Sequence, residues 1–230
     1  MEMDLFNVTA LRKTVYGFLS RGFAIEINQE YLDQIREYLP MLKELESTIE
    51  DLDYINGVKR LEEFVGKIEN DKELIEEYER RFVSVFMHIT SESDNVDPYE
   101  SVYLSPEKLV MQEQRDCVLG FYARYGHGVD ENFKEPEDHI AAELGFIGSL
   151  NNEILKDIEA GDKETEIMKK LEGQLEFMKR HLMLWLPNFS VDLKKTDPEG
   201  FYGILGELSL GFCRTDVPFL EELLEYLKNK

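Results

Sequence analysis

Glu135-Pro136-Glu137-Asp138-His139-Ile140-Ala141-Ala142-Glu143-Leu144 reads as the opening of an amphipathic helix. Proline loses no hydrogen bond in a first helical turn, and carboxylates there face the positive end of the helix dipole. Ile140, Leu144, Ile147, Ile154, Leu155 and Ile158 then recur at helical spacing along one face. The same kind of start is expected at Ser105-Pro106-Glu107, Asp197-Pro198-Glu199 and Thr215-Asp216-Val217-Pro218.

Outward from this segment the 3.6-residue period persists in both directions. Val8, Leu11, Val15, Phe18 and Leu19 form a first stripe. Tyr31, Ile35, Tyr38, Leu42, Leu45, Ile49 and Leu52 form a second, which Pro40 is expected to bend or break, and Val58, Leu61, Val65 and Ile68 a third. A central helix through Leu74, Ile75, Tyr78, Phe82, Val85, Phe86 and Ile89 should be fully packed. Leu109, Val110, Cys117, Phe121, Tyr122 and Tyr125 read as another stripe, and Ile167, Leu171, Leu175, Met178, Leu182, Trp185 and Leu186 as one more. Two shorter helices, Phe201 to Phe212 and Val217 to Leu227, are expected last. No alternating segment flanked by turn residues reads as a strand, so the expected fold is all-α, a single helical domain of about ten helices.

The polar run from Thr90 to Ser101 is the longest expected loop. It divides the 1–230 domain into an N-terminal half 1–90, a hinge loop 91–104 and a C-terminal half 105–230.

With 26 Lys plus Arg against 48 Asp plus Glu, the net charge is −22, which repels phosphate backbones and anionic lipid heads. Nucleic acid is therefore excluded as a partner. Acidic Met1-Glu2-Met3-Asp4, followed by Arg12, Lys13 and Arg21, reads against a secretory signal, and no apolar run reaches membrane-spanning length, so no stable membrane insertion is expected. Cys117 and Cys213 lie far apart, in keeping with a reducing cytoplasm.

Motifs for metal binding and catalysis are wanting. A Glu three residues before a His, as a di-iron bundle needs, precedes none of His88, His127, His139 and His181. His-Glu-x-x-His, clustered Cys or His, and phosphate-binding glycine loops do not occur. No metal and no cofactor is expected. Asp138-His139 with Glu143 one turn on remains as a candidate pair, although the helix dipole explains the acid and i,i+4 pairing explains the histidine. His181 and Trp185, one turn apart, read first as core, as does the aromatic row Tyr78, Phe82 and Phe86.

These pieces occur in one order: an aromatic central helix, then Asp97-Pro98-Tyr99-Glu100-Ser101-Val102-Tyr103, a helix ending Tyr122 to Gly126, Glu135-Pro136-Glu137-Asp138-His139, and His181-Leu182-x-x-Trp185. In that order the chain resembles the TorD/DmsD family of cytoplasmic chaperones for molybdoenzyme maturation. The resemblance implies an all-helical, TorD-like fold that does no chemistry. It also implies as partners the twin-arginine signal peptide and the apo catalytic subunit of a molybdenum-containing oxidoreductase, held for cofactor insertion before export. Dimethyl-sulfoxide-, trimethylamine-oxide-, nitrate- and formate-type clients all suit it. Monomer and domain-swapped dimer both stay open as the oligomeric state.

A receptor for such a leader needs carboxylates for two guanidinium groups beside an apolar groove. Asp138, with Glu135, Glu137 and Glu100, would supply the first; Tyr99, Phe86 and Trp185 would line the second. His139 would brace the Tyr99-Glu100-Ser101 loop or bond the peptide backbone, with His181 nearby. Asp138→Asn is then expected to weaken peptide binding without lowering the melting temperature. All of this requires that Asp138 and the stretch ending at Ser101 meet as a single peptide-holding cleft, and it fails if they lie on opposite sides of the molecule or are both buried with no opening nearby. The alternatives are a metal-dependent hydrolase using Asp138, His139 and His181, and a general helical adaptor.

Overall fold

A computed structural model of the chain describes residues 4–68, 72–87, 95–128, 133–161 and 164–229. Among these residues the all-α expectation is met: ten α-helices, one π-helical turn and no strand. The helices are α1 (Leu5–Ala24), α2 (Gln29–Leu45), α3 (Leu52–Ile68), α4 (Lys72–Phe86), α5 (Glu100–Leu104), α6 (Glu113–Arg124), α7 (Ile140–Ala160), α8 (Glu164–Phe177), α9 (Met183–Thr196) and α10 (Phe201–Lys228), with the π-turn at Met178–Leu182 between α8 and α9.

Proline is where the helix boundaries depart from expectation. α2 is unbroken through Pro40 and stops at Leu45, because the buried stripe Tyr31, Ile35 and Leu42 runs past the proline and the chain turns only afterwards. The two expected closing helices are one: α10 runs through Pro218, since Leu205, Leu208 and Phe212 keep phase with Leu220, Leu223 and Leu227. One missing N–H is outweighed by a continuous apolar face. Ser105-Pro106-Glu107 starts no helix; Ser105 caps the end of α5, its N–H donating to the Ser101 carbonyl at 2.9 Å. α4 is also less packed than expected: Ile75 and Val85 are buried, whereas Tyr78, Phe82 and Phe86 are only partly covered. Ile89 lies outside the described residues.

The chain forms two compact units; three of the four divisions fall inside α1, α9 and α10, and the fourth lies between Pro98 and Tyr99, just before α5. The first comprises Met1–Arg21, Tyr99–Leu184 and Asp216–Lys230. Its core is aromatic: Tyr122 and Phe146 lie 4.6 Å apart between ring centres, Phe146 and Phe177 4.9 Å, Phe121 and Phe177 5.2 Å. Beside that core is a buried ionic network. Arg12 donates from Nε and Nη2 to the two oxygens of Asp216 at 2.8 and 2.9 Å and from Nη1 to Asn151, while Tyr16 donates to Asp216 at 2.6 Å. A charge taken out of water needs such pairing, and here each of the three guanidinium nitrogens finds an acceptor.

The second unit comprises Gly22–Pro98 and Trp185–Thr215. Tyr31, Phe64 and Phe201 pack with Tyr78, Phe82 and Tyr202, and Trp185 packs on Phe189. The helices approach closely at Gly211, where an added Cβ would stand 2.3 Å from the Tyr54 backbone nitrogen. Asp197 stitches this unit: its Oδ2 accepts from the Tyr202 N–H at 3.0 Å, capping α10, and its Oδ1 from Arg81 Nε at 2.7 Å.

Candidate functional site

The site lies within the first unit, where α5 begins and α7 is approached. His139 is the N-cap of α7: its backbone is extended and its Nδ1 accepts from the Ala141 N–H at 3.1 Å. An acceptor at that position satisfies a helix-start N–H that has no partner within the helix. The extended backbone lets residue 139 pair with Tyr99 in an antiparallel bridge, and the Glu100 N–H donates to the Asp138 carbonyl at 3.0 Å. Two stretches far apart in sequence are thereby joined, but Glu100, Ser101, Asp138 and His139 are all buried in the joint, where the sequence reading expected them to line a cleft.

Asp138 completes the joint. Its Oδ2 accepts from the Ser101 N–H at 2.9 Å and from the Ser101 hydroxyl, so it caps the first turn of α5. Asp138 is 0% exposed, and its other oxygen, Oδ1, is buried with no hydrogen-bond partner among the described residues. The carboxylate thus holds the fold together locally. Asparagine at 138 keeps one oxygen for the two Ser101 donors but puts an NH2 group at the buried position of Oδ1, so an effect on the melting temperature is expected there beside any effect on binding.

The His139 ring stands edge-on to Tyr99 and Phe133, each 5.3 Å away between ring centres. Burial pushes its pKa down to about 3, so the imidazole is neutral and its Nδ1 stays an acceptor. The neighbouring hydroxyl of Tyr99 donates to the exposed carboxylate of Glu135 at 2.5 Å.

Behind the joint is a second layer of acid. Glu100, 2% exposed, faces His181 Nδ1 at 3.1 Å, and His181 sits on the π-turn with its ring stacked on Phe177 at 5.1 Å. A π-turn inserts an extra residue into a helix and so rotates the next turn about the axis, and such turns occur often at functional positions. Glu143 is also buried. Burial raises the Tyr122 hydroxyl well above its ordinary value, and the charges of Glu143, Glu100, Asp138 and Glu137 act in the same direction. At the rim, Arg115 forks onto Glu137, Nε to Oε2 at 2.5 Å and Nη2 to Oε1 at 3.0 Å, and the fork lowers the Glu137 pKa.

Tyr99, Glu100, Ser101, Glu135, Asp138, His139 and His181 therefore share one unit and form one connected set. Phe86 and Trp185 belong to the other unit; Phe86 packs on Phe82 and Tyr202, and Trp185 is 0% exposed. Sequence reasoning missed Arg115 and read Tyr122 only as a core position. A readable signal existed only for Arg115, an arginine at the start of a helix, where the dipole disfavours a cation unless a carboxylate faces it. No group of three or more His, Cys, Asp or Glu side chains among the described residues is arranged to hold a metal ion. Nor, among those residues, is any helix long and apolar enough to cross a membrane.

The sequence pattern of the nitrate reductase delta subunit family matches residues 50–191. A chaperone protein TorD from Vibrio parahaemolyticus is 31% identical over 225 residues, covering 95% of this chain and 98% of that protein. The chain belongs to the TorD chaperone family. TorD chaperones from Vibrio atlanticus, 31% identical over 91% of this chain and 94% of theirs, and Vibrio cholerae, 28% identical over 98% and 99%, match along the same span. Family membership agrees with the resemblance drawn from the motif order, and the relatives' name, chaperone, with the expectation of a binding protein rather than an enzyme. The family match spans the joint itself, since residues 99–101 and 138–139 fall within 50–191.

Proposed function

We propose that this chain is a cytoplasmic maturation chaperone for a molybdenum-containing oxidoreductase, binding the twin-arginine signal peptide and the apo form of the catalytic subunit until the cofactor is inserted. The observation that carries the reading is the joint between Tyr99-Glu100-Ser101 and Asp138-His139 in a chain of the TorD family. It fixes a row of acids on one backbone, of which Glu135 is exposed and Glu137 half-buried, while Glu100 and Asp138 are buried beneath them. Glu135 and Glu137 stand at the rim; both oxygens of Glu137 are held by Arg115 in the bidentate geometry an arginine makes, so an incoming guanidinium would take the place of Arg115 there or pair with Glu135. Asp138 and His139, both buried, position that rim. Glu100 with His181 supports the joint from the core side. The charge of −22 draws a cationic leader toward this surface.

Calorimetric titration with a leader peptide, run beside the same peptide with both arginines changed to lysine, tests the reading. The arginine peptide should bind at least about tenfold more tightly, since lysine cannot make the fork, and its affinity should fall as salt is raised. Equal affinity for the two peptides, or none for either, overturns it.

A further inference from the structure

Between α5 and α6 the chain exposes three consecutive apolar side chains, Leu109 at 58%, Val110 at 43% and Met111 at 60%. Single exposed apolar residues are ordinary on a protein surface, but a contiguous run marks a contact surface. This run is held in place. Lys108 and Met111 have φ of 53° and 59°, a left-handed conformation that side-chain-bearing residues rarely adopt. The Lys108 N–H donates to the Ser105 carbonyl at 3.3 Å and Gln112 Nε2 to the Val110 carbonyl at 3.0 Å. Finally, the Gln112 N–H donates to Ser101 Oγ at 3.3 Å, and that hydroxyl donates to Asp138. The acid that joins α5 to α7 thus also anchors the apolar run.

Charge chooses among occupants. Glu107 and Glu113, both exposed, flank the run in sequence; the exposed Lys108 offsets one of them and Asp116 is paired with Arg115 at 3.1 Å, so the deciding field is that of the whole chain, which carries −22. A second copy would bring the same negative charge, and an anionic lipid surface is repelled alike. A peptide whose apolar stretch lies next to cationic residues is attracted by both features.

We propose that Leu109, Val110 and Met111 form the docking surface for the apolar stretch of a cationic peptide, tied through Gln112, Ser101 and Asp138 to the segment that carries Glu135 and Glu137. The proposal rests on the leader-binding reading above and adds to it the place where the apolar segment lies. Strained backbone keeps the three side chains presented before the peptide arrives, so little conformational freedom is lost on binding.

The test uses the full chain and the triple variant Leu109→Ser, Val110→Ser, Met111→Ser, with two peptides. Both carry the paired arginines; one has an apolar stretch behind them, and in the other that stretch is replaced by serine and glycine. The wild-type chain should bind the first about tenfold more tightly than the second, and the triple variant should bind both equally, at the weaker level, with an unchanged melting temperature. If the variant binds the apolar peptide as tightly as wild type, this inference falls while the leader-binding reading stands. If the wild-type chain binds neither peptide, both fall. A dimer of the wild type that the variant lacks, or loop-dependent binding to anionic vesicles, would assign the run to another occupant and overturn the proposal.

Discussion

Alanine in place of Asp138 removes one acceptor from two donors. The Ser101 N–H, 2.9 Å from Oδ2, and the Ser101 hydroxyl both end on that oxygen, and both residues are fully buried. Each buried donor left unpaired costs about 1–3 kcal/mol, and bonds to an ionised acceptor lie toward the upper end. Removing a buried carboxylate also relieves its desolvation, so the expected net loss is about 2–4 kcal/mol. For a chain of this size each kcal/mol moves the melting temperature by about 2–4 °C, which gives a fall of about 5–15 °C. Ser101→Ala removes the hydroxyl alone and should cost about 1 kcal/mol. Because the two residues share one contact, the double variant should lose about 1 kcal/mol less than the sum of the singles. Thermal denaturation followed by circular dichroism reads all three. An Asp138→Ala protein melting within about 2 °C of wild type would refute the reasoning, since the acid would then not be what fixes α5 to α7.

His139 gives a pH dependence of known sign. Its pKa falls from 6.5 in the unfolded chain to about 3 in the fold, so the contribution is complete above pH 6.5 and is lost as pH drops toward 3. The slope is about 1.4 kcal/mol per pH unit, or about 2.7 kcal/mol by pH 4.5. His139→Asn keeps an acceptor for the Ala141 N–H, so its stability deficit relative to wild type should shrink as the pH of a denaturant titration is lowered, and a constant deficit would count against a buried neutral imidazole. Two glycines give a contrast in cause. At Gly211 a Cβ would stand 2.3 Å from backbone of Tyr54, whereas Gly161, the C-cap of α7 at φ 69°, has open space around it. Gly161→Ala should cost about 1 kcal/mol through backbone strain alone. Gly211→Ala should lower the melting temperature by at least twice as much, and equal effects would mean that the helices part easily there.

Much of the helical pattern was legible because burial on one face imposes its own period: the stripes through Val15, Phe18 and Leu19, or Ile140, Leu144 and Ile147, needed no tertiary information. Proline misled. Pro40 and Pro218 sit inside α2 and α10, and only the apolar phase across them, Tyr31 to Leu42 and Leu205 to Leu227, tells continuation from a new start. Leu109 and Val110 read as part of a helical stripe yet stand in an exposed turn, because two left-handed residues there follow from hydrogen bonds to Ser105 and Ser101 rather than from local preference. The motif order picked out the acid-histidine pair and the stretch ending at Ser101. It did not reveal that Asp138 is buried, or that Glu100 meets His181 across 81 residues of chain, since such contacts belong to packing and not to any local spacing.

The pairing of Arg12 with Asp216 has a consequence for synthesis. The first unit is assembled from three separated segments, and the guanidinium that α1 carries finds its counter-ion 204 residues later. Until residue 216 has left the ribosome, that cation lacks the carboxylate it pairs with in the fold and keeps Asn151 as a partner. A nascent chain still short of that residue therefore holds a buried cation site without its counter-ion, and the first unit closes only when the distant aspartate arrives.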